Sequence, residues 1–425
     1  MTETTETVQY QLDSSSSSKL TDWPAEPSLL TLKNDFEMAK PSHDSLVTKV
    51  RKWNNLLEVE GDAKPPKIKG RSSVQPKLVK RQAEWRYPAL SEPFLSSDNL
   101  FKVDPVTFED GQAARQNGLL LNYQFRSKLD RVKLVDDTVR ATVDDGSCVL
   151  RTGWKRSTVM VKKQVPVFSY YPINNQQSLD LLQQALNLRA SDPRTYNEKA
   201  SPELKASVDY YDETQQTTFA KQTGTTEVEE EKILENRPTV EVLNLENVYF
   251  DPSCNGDIDK ALFAVVSFET NKAELQKEGR YKNLDQVLWE SNAPLNDPDH
   301  ATSTPDSFSF KDESREKVVA YEYWGFYDVL GDGTLVGFVA TWIGSVLIRM
   351  ELNPFPDGKL PFVVIPYSPI KRQLFGVPDA EVLEDNQKIL GAVTRGMIDL
   401  LGNSANGQKG FAKRLAVETG GSSQC

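Results

Sequence analysis

Apolar positions recur at helical spacing first over 45–59, where Val47, Val50, Trp53, Leu56 and Leu57 share one face. The same period returns over 107–145. There Leu119 to Leu121, Tyr123 and Phe125 lead into Leu129, Val132, Val135, Val139 and Val143, and Asp144-Asp145-Gly146 supplies a turn. A leucine- and glutamine-rich stretch over 176–188 predicts another helix. Ser201-Pro202-Glu203, a cap followed by proline, opens one that reaches about Phe219. Short helices are expected over 270–278 and 284–290. Strand signals fall at 148–154, with 159–165 continuing the sheet, and then at 237–243 and 262–268. The segments 318–329 and 335–348 predict a hairpin across Gly331-Asp332-Gly333, with aromatic residues on both faces and hence cover on both sides. Polar stretches at 223–235 and 292–312 read as a loop or exposed edge and as a loop.

The end of the chain is the most clearly patterned part. A proline-fenced apolar run over 360–369 predicts a buried strand, and 370–375 is a linker. A helix follows over 378–401, with Asp379, Glu381 and Glu384 placed against its positive end. Val382, Ile389, Val393 and Met397 form an apolar stripe, while Glu384, Lys388, Arg395 and Asp399 lie on the other side. The stripe is expected to pack against the rest of the chain or a neighbouring helix, and the polar residues to face water. On that expectation Val393→Asp costs several kcal/mol, whereas Lys388→Glu and Arg395→Glu each stay within about half a kcal/mol. Gly402-Asn403 is expected to stop the helix.

Charge changes the picture at one place. Between 62 and 86, Lys64, Lys67, Lys69, Arg71, Lys77, Lys80, Arg81 and Arg86 stand against only Asp62 and Glu84. Such a run can touch phosphates, or it can be an extended arm whose cations meet acids of another subunit. Trp85, Tyr87, Leu90 and Phe94 follow at once and suggest packing, which favours the arm. For the whole chain of 425 residues the net charge is −11, which argues against general affinity for nucleic acid.

Chemistry is sparse. The three cysteines, Cys148, Cys254 and Cys425, are too far apart for a zinc pattern or a disulfide framework, so a reducing compartment is the default. Residues 1–18 are polar and serine-rich, with no signal-peptide pattern, and 335–348 is too short to span a membrane. The stretch 402–409 nearly spells a phosphate loop, but Gln408 stands where the lysine belongs and the stretch trails a helix. The stretch 251–262 starts like a calcium loop, yet Leu262 occupies the position of the bidentate glutamate; a capped turn fits better. Two histidines, His43 and His300, leave no material for a multi-histidine metal site. No catalytic residue, cofactor or metal is assigned.

Asp144-Asp145-Gly146, Arg237-Pro238, Phe250-Asp251-Pro252, Trp342-Ile343-Gly344 and the run 376–390 follow one another along the chain, and in that order they resemble the portal proteins of short-tailed bacteriophages. Asp144-Asp145-Gly146 with Leu150 to Trp154 resembles the wing entry. Arg237-Pro238, Phe250-Asp251-Pro252, Phe268-Glu269-Thr270 and Tyr281-Lys282-Asn283-Leu284 are similar to mid-wing segments. Trp342-Ile343-Gly344, Asn353-Pro354-Phe355-Pro356 and Pro361-Phe362-Val363-Val364 precede the helix, and 376–390 resembles the passage from wing to stem. The resemblance covers roughly 30–412. It implies an α+β fold: a mixed wing followed by a long amphipathic stem-type helix. The division it suggests is a disordered polar arm over 1–25, a helical and basic segment over 26–105, a wing over 106–372, a first stem helix over 373–402, and the start of a clip region or a truncated tail over 403–425. It further implies a structural, non-enzymatic subunit of a dodecameric ring at one capsid vertex, through which double-stranded DNA is packaged and ejected and to which the tail joins. The implied partners are terminase, which carries the ATPase, scaffold or major capsid protein, and tail adaptor proteins, with no membrane. The implied locations are the virion and, during assembly, the host cytoplasm. A head–tail adaptor or minor capsid protein is the alternative. Because the family continues into a clip and a returning stem helix, the isolated chain is expected to be monomeric or heterogeneous.

Overall fold

The computed structural model describes residues 20–173, 175–191, 196, 200–302, 310, 312 and 314–405. These fall into two compact units, one from Met1–Gly153 and Pro238–Cys425 and the other Trp154–Arg237. The chain leaves the first unit along strand β1 (Ser147–Pro172) and returns along β2 (Thr218–Leu243).

The first unit is built on a five-stranded antiparallel sheet, in the order β3 (Val248–Phe250), β4 (Phe263–Asn271), β5 (Lys317–Tyr327), β6 (Val336–Ile343), β7 (Val346–Leu352). Its register sets Val265 opposite Tyr323, Tyr323 opposite Ala340, and Ala340 opposite Met350. Side chains alternate between faces, and both faces are buried, which is why the apolar runs of β4 and β5 are nearly unbroken. On one face helix α1 (Leu29–Glu58) lays Leu32, Phe36 and Ala39 over Tyr249, Tyr321 and Trp342, with the Phe36 and Tyr321 rings 5.1 Å apart. The other face carries Trp324, Ala264 and Val339, packed with Val50, Trp53 and Phe362.

Further helices complete this unit: α2 (Leu78–Leu95), α3 (Gly111–Ser127) and α4 (Arg131–Asp145). Helix α4 ends at Gly146, whose φ of +76° needs a glycine. A Cβ there would also lie 2.7 Å from Pro378 Cδ, so the turn presses on the entry of the last helix. Strand β8 (Phe362–Pro366) pairs antiparallel with the start of β1, Ser147 opposite Pro366 and Arg151 opposite Phe362.

The second unit contains the outer lengths of β1 and β2 and the helices α5 (Gln176–Ser191) and α6 (Pro202–Thr214). Its small core is Leu182, Ala185, Tyr196 and Val208. Ser207 Oγ accepts the Ala220 amide at 2.8 Å, tying α6 to β2.

Several expectations are corrected. The segment 335–348 is two strands, because Gly344 takes φ +54° and turns the chain between β6 and β7. Within 270–290 the helices are α7 (Lys272–Glu278) and one turn, Leu284–Gln286, and α6 stops at Thr214, short of Phe219. For 223–235 the exposed edge, one of the two expected alternatives, is what forms, inside strand β2. Helix α1 starts at Leu29, capped by Ser28, and continues through Pro41; its apolar face outweighs one lost amide. Helix α2 likewise contains Pro88 and Pro93 and was not expected. Leu20 and Trp23 pack on the core, and Ala25 N donates to Val329 O at 3.1 Å; residues 1–19 lie outside the described residues.

Candidate assembly interface

The last helix, α8 (Asp379–Ala405), does not stop at Gly402; a glycine inside a helix costs only about 1 kcal/mol. Asp379 in its first turn accepts Arg86 Nε at 3.1 Å and the Tyr367 hydroxyl at 3.1 Å. The side of α8 turned to the rest of the chain is mostly polar and small, with Leu383 packed on the core at its edge. Ala380, Gln387 and Gly391 are its buried residues. Gln387 Oε1 accepts the Val79 amide at 2.9 Å, its Nε2 donates to Leu56 O at 2.8 Å, and its backbone oxygen accepts Gln75 Nε2 at 2.7 Å. Four residues on, Gly391 leaves room for Gln75, whose Oε1 would stand 1.9 Å from an added Cβ. Arg395 Nη1 donates to that same oxygen at 2.7 Å, and Asp399 Oδ1 accepts the Ser72 amide at 2.6 Å. Spacing of four along 387, 391, 395 and 399 puts them on one face, and the segment 72–79 lies along it.

Glu384 extends this face, accepting Lys52 Nζ at 2.7 Å and Lys388 Nζ at 2.6 Å. The bond from Lys388, then that from Lys52, holds its carboxyl below the ordinary value. The apolar stripe points elsewhere. Val382, Ile389, Val393 and Met397 are 70, 61, 48 and 59% exposed, and Leu400 and Leu401 are exposed with them.

Within the chain the stripe does not make the packing expected of it, which leaves its other expected partner, a neighbouring helix; Lys388 stays exposed, as expected. Glu384, Arg395 and Asp399 hold the chain, and Val382, Ile389, Val393 and Met397 do not touch its core. The reason lies in the partner: 72–79 offers backbone amides, and these need polar acceptors if they are not to be left unpaired. Gln387 and Gln75 escaped sequence reading, although the run Gln387, Gly391, Arg395, Asp399 was visible as a small and polar face.

Of the basic run, Lys77 and Lys80 are neutralised at home by Glu58, at 2.9 and 2.6 Å, which lower its carboxyl pKa, Lys80 first. Lys64, Lys67, Lys69, Arg71 and Arg81 are exposed and make no ion pair among the described residues. Of the aromatics expected to pack, Trp85 is 73% exposed and Phe94 is also exposed. Tyr87 is half-buried, donating to Asp144 at 2.7 Å under the Arg140 guanidinium.

The motifs that imitate chemistry have structural uses. Asp251 accepts the Ser253 amide at 2.7 Å and the Leu262 amide at 2.9 Å, so both carboxylate oxygens clamp a turn. His300 Nδ1 meets Ser267 Oγ at 2.9 Å and His43 stacks on Tyr249 at 3.8 Å; burial lowers the pKa of each. Residues 402–405 are helical, and 406–409, the rest of the near phosphate loop, lie outside the described residues, as does Cys425. Cys148 and Cys254 are buried free thiols, and burial pushes the Cys148 pKa up to about 11. Among the described residues no group of three or more His, Cys, Asp or Glu is placed to hold a metal, and no helix is long and apolar enough to cross a membrane.

One family model, described as the phage SU10 portal protein, matches residues 28–418. The match takes in all eight helices named above, both sheets and the whole of α8. The chain therefore belongs to the phage SU10 portal protein family.

Proposed function

We propose that this chain is the repeating subunit of a ring-shaped channel at one capsid vertex, through which double-stranded DNA is packaged and later ejected and to which the tail is joined. The observation that supports this reading is the bare stripe of α8. A helix fixed by a hydrogen-bonded clasp on one side, with Val382, Ile389, Val393 and Met397 open on the other, needs a partner to remove that apolar surface from water. In a closed ring of identical subunits each stripe meets the neighbouring copy. In this reading 373–402 is the first stem helix and 106–372 the wing. The ring is dodecameric, and its partners are terminase, scaffold or major capsid protein, and tail adaptors. Nucleotide hydrolysis belongs to the terminase, and assembly occurs in the host cytoplasm before the ring resides in the virion. The cations Lys64, Lys67, Lys69, Arg71 and Arg81 meet acidic groups of the adjacent subunit. Electron microscopy and sedimentation of the purified chain, with and without coat and scaffold, test the reading. Rings with a central channel support it, and a chain that stays monomeric under all these conditions overturns it. Steady-state phosphate release from ATP by the chain alone would overturn the non-enzymatic part.

A further inference from the structure

Among the described residues, strand β1 has only β2 beside it between 154 and 172, because β8 covers β1 only from Ser147 to Arg151. Among the described residues β2 is an edge strand over its whole length. A two-stranded ribbon is marginally stable in water, and this one is bare on both faces: every residue from 158 to 165 and from 221 to 234 is exposed. Its exposed side chains include Val159, Met160 and Val161, successive residues that point to opposite faces. Long, partly apolar open edges invite another strand.

The two strands differ in charge. Over 154–172 β1 carries Lys155, Arg156, Lys162 and Lys163 and no acid, whereas β2 gathers Glu227, Glu229, Glu230, Glu231 and Glu235 over 227–235 around Lys232, with Lys221 and Arg237 on either side of that stretch. Inside the ribbon Lys155 pairs with Glu235 at 2.9 Å and Lys163 with Glu230 at 2.8 Å. Arg156, Glu229 and Glu231 make no ion pair among the described residues, so charge of both signs remains to be met from outside.

We infer that the ribbon pairs edge to edge with the ribbon of a second copy of this chain, the basic strand β1 of one copy beside the acidic strand β2 of the next. Pairing β1 with β1, or β2 with β2, would oppose like charges. The permitted arrangement is heterologous, and a heterologous contact closes into a ring when its rotation allows. Pro166 has no amide hydrogen, so the contact belongs to the stretch before it, 154–165. The inference rests on the ring reading, since the second copy is the ring neighbour.

The test mixes equal amounts of 14N- and 15N-labelled full-length chain, assembles them, and joins lysines to carboxylates with a zero-length carbodiimide reagent. Links of mixed label between Lys155, Lys162 or Lys163 and the 227–235 peptide are expected in the assembled species. A second measurement uses the double variant Glu229→Lys with Glu231→Lys, which leaves the ion pairs inside the ribbon intact. It should lower the assembled fraction at least tenfold while circular dichroism of the unassembled chain is unchanged. Rings whose ribbon links carry a single label, or a variant that assembles like the parent, overturn the inference and leave the ring reading standing. A chain that stays monomeric both with and without coat and scaffold, with no mixed-label links, overturns both.

Discussion

Gln387 and Val79, 308 positions apart in sequence, are joined by a buried hydrogen bond of 2.9 Å from the valine amide to the glutamine side chain. That bond and the one to Leu56 O at 2.8 Å fix α8 against both α1 and the start of α2. The C-terminal helix is thus docked by an amide side chain that is 2% exposed, beside the apolar contacts that Ala380 and Leu383 make with the core.

Gln387→Leu keeps the size of the side chain and removes both bonds. The Val79 amide and the Leu56 carbonyl are left unpaired, at about 1–3 kcal/mol for each buried group. We expect urea denaturation to show a loss of about 2–4 kcal/mol. A loss below about half a kcal/mol would mean that the clasp does not hold the helix.

At an open helical site Gly→Ala gains about 1 kcal/mol. At Gly391 the sign should reverse, because Gln75 must leave and surrender its bonds to Gln387 and Arg395. Gly391→Ala is expected to destabilise by about 1–3 kcal/mol, in line with overpacking elsewhere. Combined with Gln75→Ala, part of that loss should vanish. Strictly additive effects in the double-mutant cycle would show that the two residues do not compete for space.

Val393 is 48% exposed in the chain, so Val393→Asp should change the stability of the unassembled protein by no more than about 0.5 kcal/mol. The several-kcal/mol penalty of a buried carboxylate should appear only as lost assembly, measured by sedimentation of parent and variant. A melting temperature that collapses in the unassembled chain would place the stripe inside the fold.

Asp145 accepts a hydrogen bond from Asn54 at 3.1 Å, yet burial, with Asp144 alongside, raises its pKa from 3.8 to about 6. The folded chain therefore holds this proton more tightly than the unfolded one. The group costs nothing below about pH 4, and stability falls as pH rises from there through about 6. Asp145→Asn should remove that decline and stabilise the protein by about 1–3 kcal/mol at pH 7, with little change at pH 4. Thermal melts at the two pH values decide it, and equal shifts at both would refute the assignment.

Local pattern determined much of this protein. The helical period of Val135, Val139 and Val143, the alternation around Cys148, the hairpin signal at Gly331-Asp332-Gly333 and the amphipathic run after Pro378 each mark an element that exists. The order of short motifs pointed to the portal family, because side-chain pattern and turn chemistry are written in neighbouring residues. The partner of a face is not. Periodicity marked Val382, Ile389, Val393 and Met397 as a stripe and Glu384, Arg395 and Asp399 as its opposite. It could not reveal that a distant segment would bring the unpaired amides of Ser72 and Val79 to the polar side. Helix α2 was hidden for a related reason: Pro88 and Pro93 disfavour it locally, and contacts of Val79 and Ala83 with α4, α8 and the core, made only in the tertiary structure, outweigh them. The sequence specified the two faces of α8, and the tertiary structure decided which one the chain keeps for itself, because backbone groups had to be paired before apolar area could be covered.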